Sequence, residues 1–216
     1  MLFLIFILLL NAISDSLLVF DFNHTLRDVH GADTSMGYIY RSDSIFVIRV
    51  TKPVSQSIYF SGDTMMVVYP DEKRAFKIKS GFTLQFQTPA GPSSKLGTTL
   101  KKAGFMFVKR ERTQDTVKEV WMHPKTKSMV IYELSRDMLR AVTFLNEKRD
   151  SVLTVKYDSY VSFDGKQIPL ILTIKSGATE EVYRLSNPRK IVFADSIKRY
   201  FEIGKDFKVE IKGFDK

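Results

Sequence analysis

From residue 35 onward the chain alternates short runs of Val, Ile, Phe, Tyr and Thr with compact polar turns. That spacing predicts antiparallel strands joined by hairpins. They fall at about 35–41, 44–51, 56–61, 64–69 and 74–79, then at 105–112, 116–123, 128–134, 139–146, 151–160, 167–175 and 180–186. The turns agree: Ser61-Gly62-Asp63 reads as a hairpin loop, Tyr69-Pro70-Asp71-Glu72 puts proline where its fixed φ is wanted, and Asp164-Gly165 is a strong hairpin signal. Two stretches break the pattern. Leu18, Phe22, Leu26 and Val29 recur at helical spacing and predict an amphipathic helix ending at His30-Gly31. Residues 80–104 are punctuated by Gly81, Pro89, Gly91, Pro92, Gly97 and Gly104, and hold a helix at about 93–103 with Leu96 and Leu100 one turn apart. A long insertion of this kind is a lid, a binding loop or a plain surface loop. From Ala194 the tail predicts a short helix and a strand, Phe207 to Ile211.

A strand with one buried face alternates apolar and polar residues. Ile45 to Val50, Met65 to Tyr69 and Ile168 to Ile174 are instead apolar on both sides, so each must be covered twice. A meander of such strands can curl so that one face lines an interior. Either its own side chains fill that interior, or it is a cavity for a lipid-like ligand; the pattern fits both.

Composition narrows the classes. The chain opens with ten consecutive apolar residues and then a small, polar stretch to Ser16, the length of a signal-peptide core and short for a bilayer span. The expectation is a signal peptide over 1–16 and an exported mature domain over 17–216. An uncleaved anchor running on through Leu17-Leu18-Val19-Phe20 is the competitor, and Asp15 in its middle stands against it. With no cysteine, neither a disulfide framework nor a thiolate metal site can form. The net charge of +9 is scattered through clusters interrupted by acids, such as Lys109-Arg110-Glu111-Arg112, which reads as a solvated surface rather than a nucleic-acid site. Catalytic signals are thin: of three histidines, His24 shares a predicted helix face with Asp28, and His123 precedes Pro124 in a turn. No nucleophile elbow, zinc motif or phosphate loop is present, so the reading is a binding protein without cofactor or metal, not an enzyme.

Gly37-Tyr38-Ile39-Tyr40, then Ile45-Phe46-Val47-Ile48-Arg49-Val50-Thr51-Lys52-Pro53, Ile58-Tyr59-Phe60-Ser61-Gly62-Asp63 and Met66-Val67-Val68-Tyr69-Pro70 resemble the opening of the LolA-like outer-membrane lipoprotein carrier family. There a strand of the type L-F-x-W-x-x-x-x-P is followed by an S-D-G hairpin and a strand ending in Y-x-P. Asp164-Gly165-Lys166-Gln167-Ile168-Pro169 is similar to a later turn of that family. The resemblance spans about 17–186, most firmly 37–79. It departs at Ile48, where the family has tryptophan, at Arg41-Ser42-Asp43, where it has Arg-Pro, and at the inverted order of Ser61-Gly62-Asp63.

The resemblance implies a mainly β fold, a single curled antiparallel sheet forming an open half β-barrel, with the N-terminal amphipathic helix and a short helical lid at about 81–104. It implies a concave lipid-binding surface for the acyl chains of lipoproteins. The residues carried over are Phe46, Ile48, Val50, Met66, Val68, Phe76, Ile78, Leu96, Leu100, Phe105 and Phe107, with Arg41 as the lid-closing arginine. By the same resemblance the chain is a monomer that takes cargo from an inner-membrane release complex and passes it to an outer-membrane acceptor. A sensor of mislocalised lipid or lipoprotein, using the same cavity, is the alternative.

Overall fold

A computed structural model of the chain describes residues 16–41, 46–61, 64–79, 94–192 and 206–213. The expected signal peptide, the part of the insertion before residue 94 and the tail helix lie outside the described residues.

The elements are β1 (Ser16–Asp28), β2 (Gly31–Arg41), β3 (Phe46–Lys52), β4 (Gln56–Ser61), β5 (Thr64–Tyr69), β6 (Arg74–Lys79), α1 (Ser94–Lys102), β7 (Met106–Arg112), β8 (Val117–Met122), β9 (Met129–Ser135), β10 (Met138–Leu145), β11 (Ser151–Phe163), β12 (Lys166–Ser176), β13 (Thr179–Val192) and β14 (Lys208–Gly213). All the strands belong to one sheet in the order β14-β6-β5-β4-β3-β2-β1-β13-β12-β11-β10-β9-β8-β7. The order has two ends, so the sheet is open, as the half-barrel expectation requires. Successive strands pair antiparallel, for example β3 with β4 and β11 with β12, whereas β14 adds to β6 in parallel.

The predicted N-terminal helix is a strand. Residues 16–28 form β1, which lies between β2 and β13. The spacing that suggested a helix, 18, 22, 26, consists of even steps and so also keeps one side of a strand. The deciding residues are those between: Leu17 and Val19 are as buried as Leu18 and Phe20, a two-sided apolar run that an amphipathic surface helix would not carry.

The sheet divides into two compact units. The first comprises Met1–Asn23, Thr34–Phe86 and Leu185–Lys216, the second His24–Asp33 and Gln87–Arg184.

In the first unit both sides of the strands are packed. Leu17, Val19, Tyr40 and Val47 form one buried cluster, against which Tyr38, Tyr59 and Ile191 lie partly buried. On the opposite side of the same strands Phe20, Phe22, Ile39, Phe46, Ile48, Val50 and Ile58 are also buried. Each such side chain contributes roughly 1.5–3 kcal/mol on leaving water. The Val47 side is edged by an ionic group: Arg189 bonds Asp21 at 2.8 Å, with Asn187 donating to the same carboxylate at 2.7 Å, and the Arg189 guanidinium lies 5.9 Å from the Tyr38 ring centre.

The second unit is buried chiefly on one face. In β9, Val130, Tyr132 and Leu134 are buried while the residues between them are half exposed, and in β11 Leu153, Val155 and Tyr157 are buried in the same alternation. Register aligns them: Tyr132 opposes Val142, which opposes Val155, which opposes Ile174. The other face buries Val120 and Val182 but is otherwise more exposed, and it carries ion pairs such as Lys118 with Glu133 and Lys175 with Glu180.

Candidate functional site

In the first unit, hydrogen-bonded register decides which of the predicted site residues share a face, because residues directly opposite in an antiparallel pair point to the same side. Phe46 opposes Phe60, Ile48 opposes Ile58, Phe60 opposes Met65, Ile58 opposes Val67, Met65 opposes Ile78 and Val67 opposes Phe76. Of the expected set, Phe46, Ile48, Val50, Phe76 and Ile78 are therefore together. Met66 and Val68 are not: Met66 opposes Tyr59, which opposes Val47, so both sit on the Val47 side. Their places on the Phe46 face are taken by Met65 and Val67, with Ile58 and Phe60 beside them.

The parity follows from one residue of loop length. Ser61 opposes Thr64, leaving two residues between them, whereas a three-residue loop at Ser61-Gly62-Asp63 would have paired Phe60 with Thr64 and put Met66 and Val68 on the Phe46 side. A one-residue change in register inverts every side chain of a strand.

The Phe46 face is graded in depth. Phe46, Ile48, Val50 and Ile58 are buried, while Phe60, Val67, Phe76 and Ile78 are half exposed. Aromatic contacts order it: Phe46 and Phe60 have ring centres 5.2 Å apart, and Arg74 lies 5.1 Å from the Phe76 ring centre. Arg41 opposes Phe46 and is 7% exposed, which sets a cationic side chain at the end of an otherwise apolar face. Burial of that depth is costly unless the charge is compensated.

The remaining predicted residues lie in the second unit. α1 carries Leu96 and the buried Leu100, and its last turn closes by the Phe105 amide donating to the Leu100 carbonyl at 2.9 Å. Phe105 is half buried, edge-on to His123 at 5.4 Å, and Phe107 is about half exposed, edge-on to Trp121 at 5.4 Å.

The residue that the sequence reading omitted is Trp121. It is 4% exposed, and α1 lies against it so closely that a Cβ at Gly97 would come within 3.0 Å of its ring. The signal was present: glycine inside a nine-residue helix costs helix stability and is kept where another group must approach closely. Beneath the helix, the Trp121 indole donates to Glu119 at 3.4 Å, and the Arg110 guanidinium donates to the same carboxylate at 3.0 Å. Glu119 is 2% exposed, a buried carboxylate that the sequence pattern did not single out.

Two tyrosines share that face. Burial pushes the phenols of Tyr132 and Tyr157 well above their ordinary value of 10.0, helped by the Glu119 carboxylate near Tyr132 and by the neighbouring tyrosines near Tyr157. Folding thus keeps protons that the unfolded chain sheds above pH 10.0, so this stability is complete below that value and is lost as pH rises above it. Stability against denaturant is expected to stay level up to about pH 10 and fall beyond it, with tyrosinate absorbance rising together with loss of tertiary structure. Tyr157→Phe should lessen the fall. A tyrosinate signal that grows in fully before unfolding would contradict the burial of these hydroxyls.

His24 and Asp28 do not form the helical pair expected of them. His24 stands in β1, 3.2 Å from Glu181 and stacked on Tyr183 at 4.2 Å, and Tyr183 donates to Glu181 at 3.0 Å. Asp28 instead accepts the His30 amide at 2.7 Å in the turn that follows. Among the described residues no three His, Cys, Asp or Glu side chains converge as a metal site would need.

No family model matches the chain, and no curated relative matches it. Solved structures do match. A LolA superfamily protein from Nitrosomonas europaea is 13% identical, covers 91% of this chain and 93% of its own, and has a TM-score of 0.57. A domain described as a candidate outer membrane lipoprotein-sorting protein from Vibrio parahaemolyticus is 10% identical, with coverages of 87% and 90% and a TM-score of 0.60. A DUF1329 family protein from Desulfovibrio piger is 11% identical, with coverages of 88% and 90% and a TM-score of 0.60. At these identities the likeness is one of fold.

Proposed function

We propose, from a fold shared with a LolA superfamily protein and a candidate outer membrane lipoprotein-sorting domain, that this chain is a periplasmic carrier that buries the acyl chains of a lipoprotein or related lipid on the Phe46 face of its first unit. It acts by reversible binding rather than by catalysis. A donor at the inner membrane and an acceptor at the outer membrane complete the transfer.

The observation that supports this reading best is the two-sided packing of β3 to β6. The Val47 side already gives these strands a core, with Leu17, Val19 and Tyr40. On the second side Phe46, Ile48, Val50 and Ile58 are buried, and the half-exposed rim of Phe60, Val67, Phe76 and Ile78 that continues them is the chemistry an acyl chain meets. Each methylene moved from water onto that face contributes about 0.8 kcal/mol, so a chain of ordinary length is held firmly and must be drawn off by a stronger acceptor.

The test begins with the full chain purified from an envelope fraction and mass spectrometry of what co-elutes. Acylated peptides support the carrier, and free phospholipid changes the cargo. Phe46→Glu and Val67→Glu should both abolish binding of a fluorescent fatty acid while the circular dichroism stays native. Val67 is half exposed, so its variant tests the face even where a buried glutamate at 46 disturbs the strand. A protein that elutes bare and ignores the probe refutes the proposal.

A further inference from the structure

We infer that the β7 edge of the sheet is a membrane-docking surface that recognises anionic lipid headgroups, a role separate from any cargo held on the Phe46 face. β7 is the last strand in the sheet order, and all seven of its residues are exposed. Three consecutive large apolar side chains stand out there: Met106 is 53% exposed, Phe107 48% and Val108 48%. Scattered single apolar residues on a surface are ordinary, but three in a row on an edge are a liability that soluble proteins avoid unless something covers them.

Charge identifies what covers them. From Ser94 to Arg112 the sequence holds six basic residues and one acidic residue. Lys109 is engaged with Glu111 at 2.5 Å and Arg110 with buried Glu119. Lys101 and Lys102, exposed in the last turn of α1, and Arg112 at the far end of β7 remain to face a partner. The turn through Gly104, whose amide donates to the Lys101 carbonyl at 3.0 Å, leads the last turn of α1 directly into the start of β7. An apolar wedge flanked by cations is the pattern of an interfacial membrane site: apolar side chains enter the acyl boundary while lysine and arginine stay at the headgroups.

Two features favour a lipid surface over an added strand from a protein. The register of β7 on β8 shifts between Phe107 and Lys109, so Val108 has no opposite residue. Such bulges, with lysine on the edge, are how sheets discourage edge-to-edge pairing. The opposite edge makes the contrast in its apolar residues: β14 exposes Val209 and Ile211, but they stand apart with Glu210 between them, and that carboxylate pairs with both Lys208 and Arg74.

The experiment uses the full chain with vesicles of phosphatidylglycerol and phosphatidylethanolamine, and with vesicles of phosphatidylcholine alone. Co-sedimentation is expected with the anionic vesicles, weakening as salt is raised. Met106→Ser with Val108→Ser should weaken it about tenfold or more, and Lys101→Glu with Lys102→Glu by a similar factor at low salt, whereas Ile211→Ser should leave it unchanged. The lysine variants alter only exposed side chains, so they test the site even where the apolar pair affects folding. Trp121, the single tryptophan, lies beneath Phe107 and should be quenched by brominated lipid in the parent and less so in both edge variants. Equal binding by parent and edge variants, which would place the attachment in the apolar N-terminal stretch, overturns the proposal. So does equal binding to phosphatidylcholine, or edge variants that leave vesicle binding intact and abolish capture of a protein partner.

Discussion

Gly37→Val is expected to destabilise the protein by about 3 kcal/mol or more, among the largest costs available to a single substitution in this chain. β2 changes register against β3 between Met36 and Gly37, and the two backbones close tightly there. A Cβ at Gly37 would lie 1.9 Å from the Arg49 carbonyl oxygen, 2.9 Å from its carbon and 3.0 Å from the Val50 Cα. All three are main-chain atoms in the middle of a packed strand, so no side-chain rotation can make room. The strands must part, and parting them strips hydrogen bonds from residues that carry both apolar faces. For a protein of this size the cost corresponds to a melting temperature lower by about 6–12 °C. Gly37→Ala should give much of the same loss, since the first carbon already collides. Denaturant unfolding measures it, and a loss under about 1 kcal/mol would mean that β2 and β3 separate here freely.

Arg110→Met is expected to cost about 2 kcal/mol, and Glu119→Leu much less. The asymmetry comes from burial: the Glu119 side chain is 3% exposed and that of Arg110 56%. Without arginine the carboxylate stays buried beside Trp121 with a single 3.4 Å indole bond. Without glutamate the arginine turns into water. Losing one partner of a fully buried pair costs roughly 3–5 kcal/mol, and solvent around the exposed arginine reduces that here. The double variant Arg110→Met with Glu119→Leu should return to within about 1 kcal/mol of the parent, because an apolar pair of similar volume replaces the ionic one. Chemical denaturation of the four proteins completes the cycle. Equal losses in the two single variants would show that Glu119 is not held away from water.

What the sequence revealed depended on whether the information was local. Strand limits and turns were legible because each hairpin carries its own signal: β4, predicted at 56–61, is Gln56–Ser61, and β5, predicted at 64–69, is Thr64–Tyr69. The antiparallel meander followed from those strands, and the open half-barrel from the family resemblance. Side-chain facing was less secure, because it turns on parity: Met66 and Val68 lie on the Val47 side, whereas Phe46, Ile48, Phe76 and Ile78 share one face. β1 was misread because residues four apart satisfy a helix and a strand equally, and the residues between them, Leu17 and Val19, were not weighed against a one-faced helix. The parallel addition of β14 to β6 had no local signal at all. Nor did the burial of Glu119, whose neighbours Lys118 and Val120 give no hint of an ionic pair with Arg110.

The position of β1 also governs the order of events in folding. Its neighbour β13 is supplied from the other end of the chain, and the bonds of Asp21 to Asn187 and Arg189 span 166 and 168 residues. β14 likewise waits on β6, with Arg74 reaching Glu210 across 136 residues. Contacts of such separation close the longest loops and slow folding. During synthesis the first strand to emerge has no β13 to join until nearly the whole polypeptide has been made. The central hairpins, β7 to β12, can form meanwhile, each from neighbours in sequence. The N-terminal strand can pair early with β2, but its other edge stays open until β13 arrives, so it is first made and among the last to be locked on both sides.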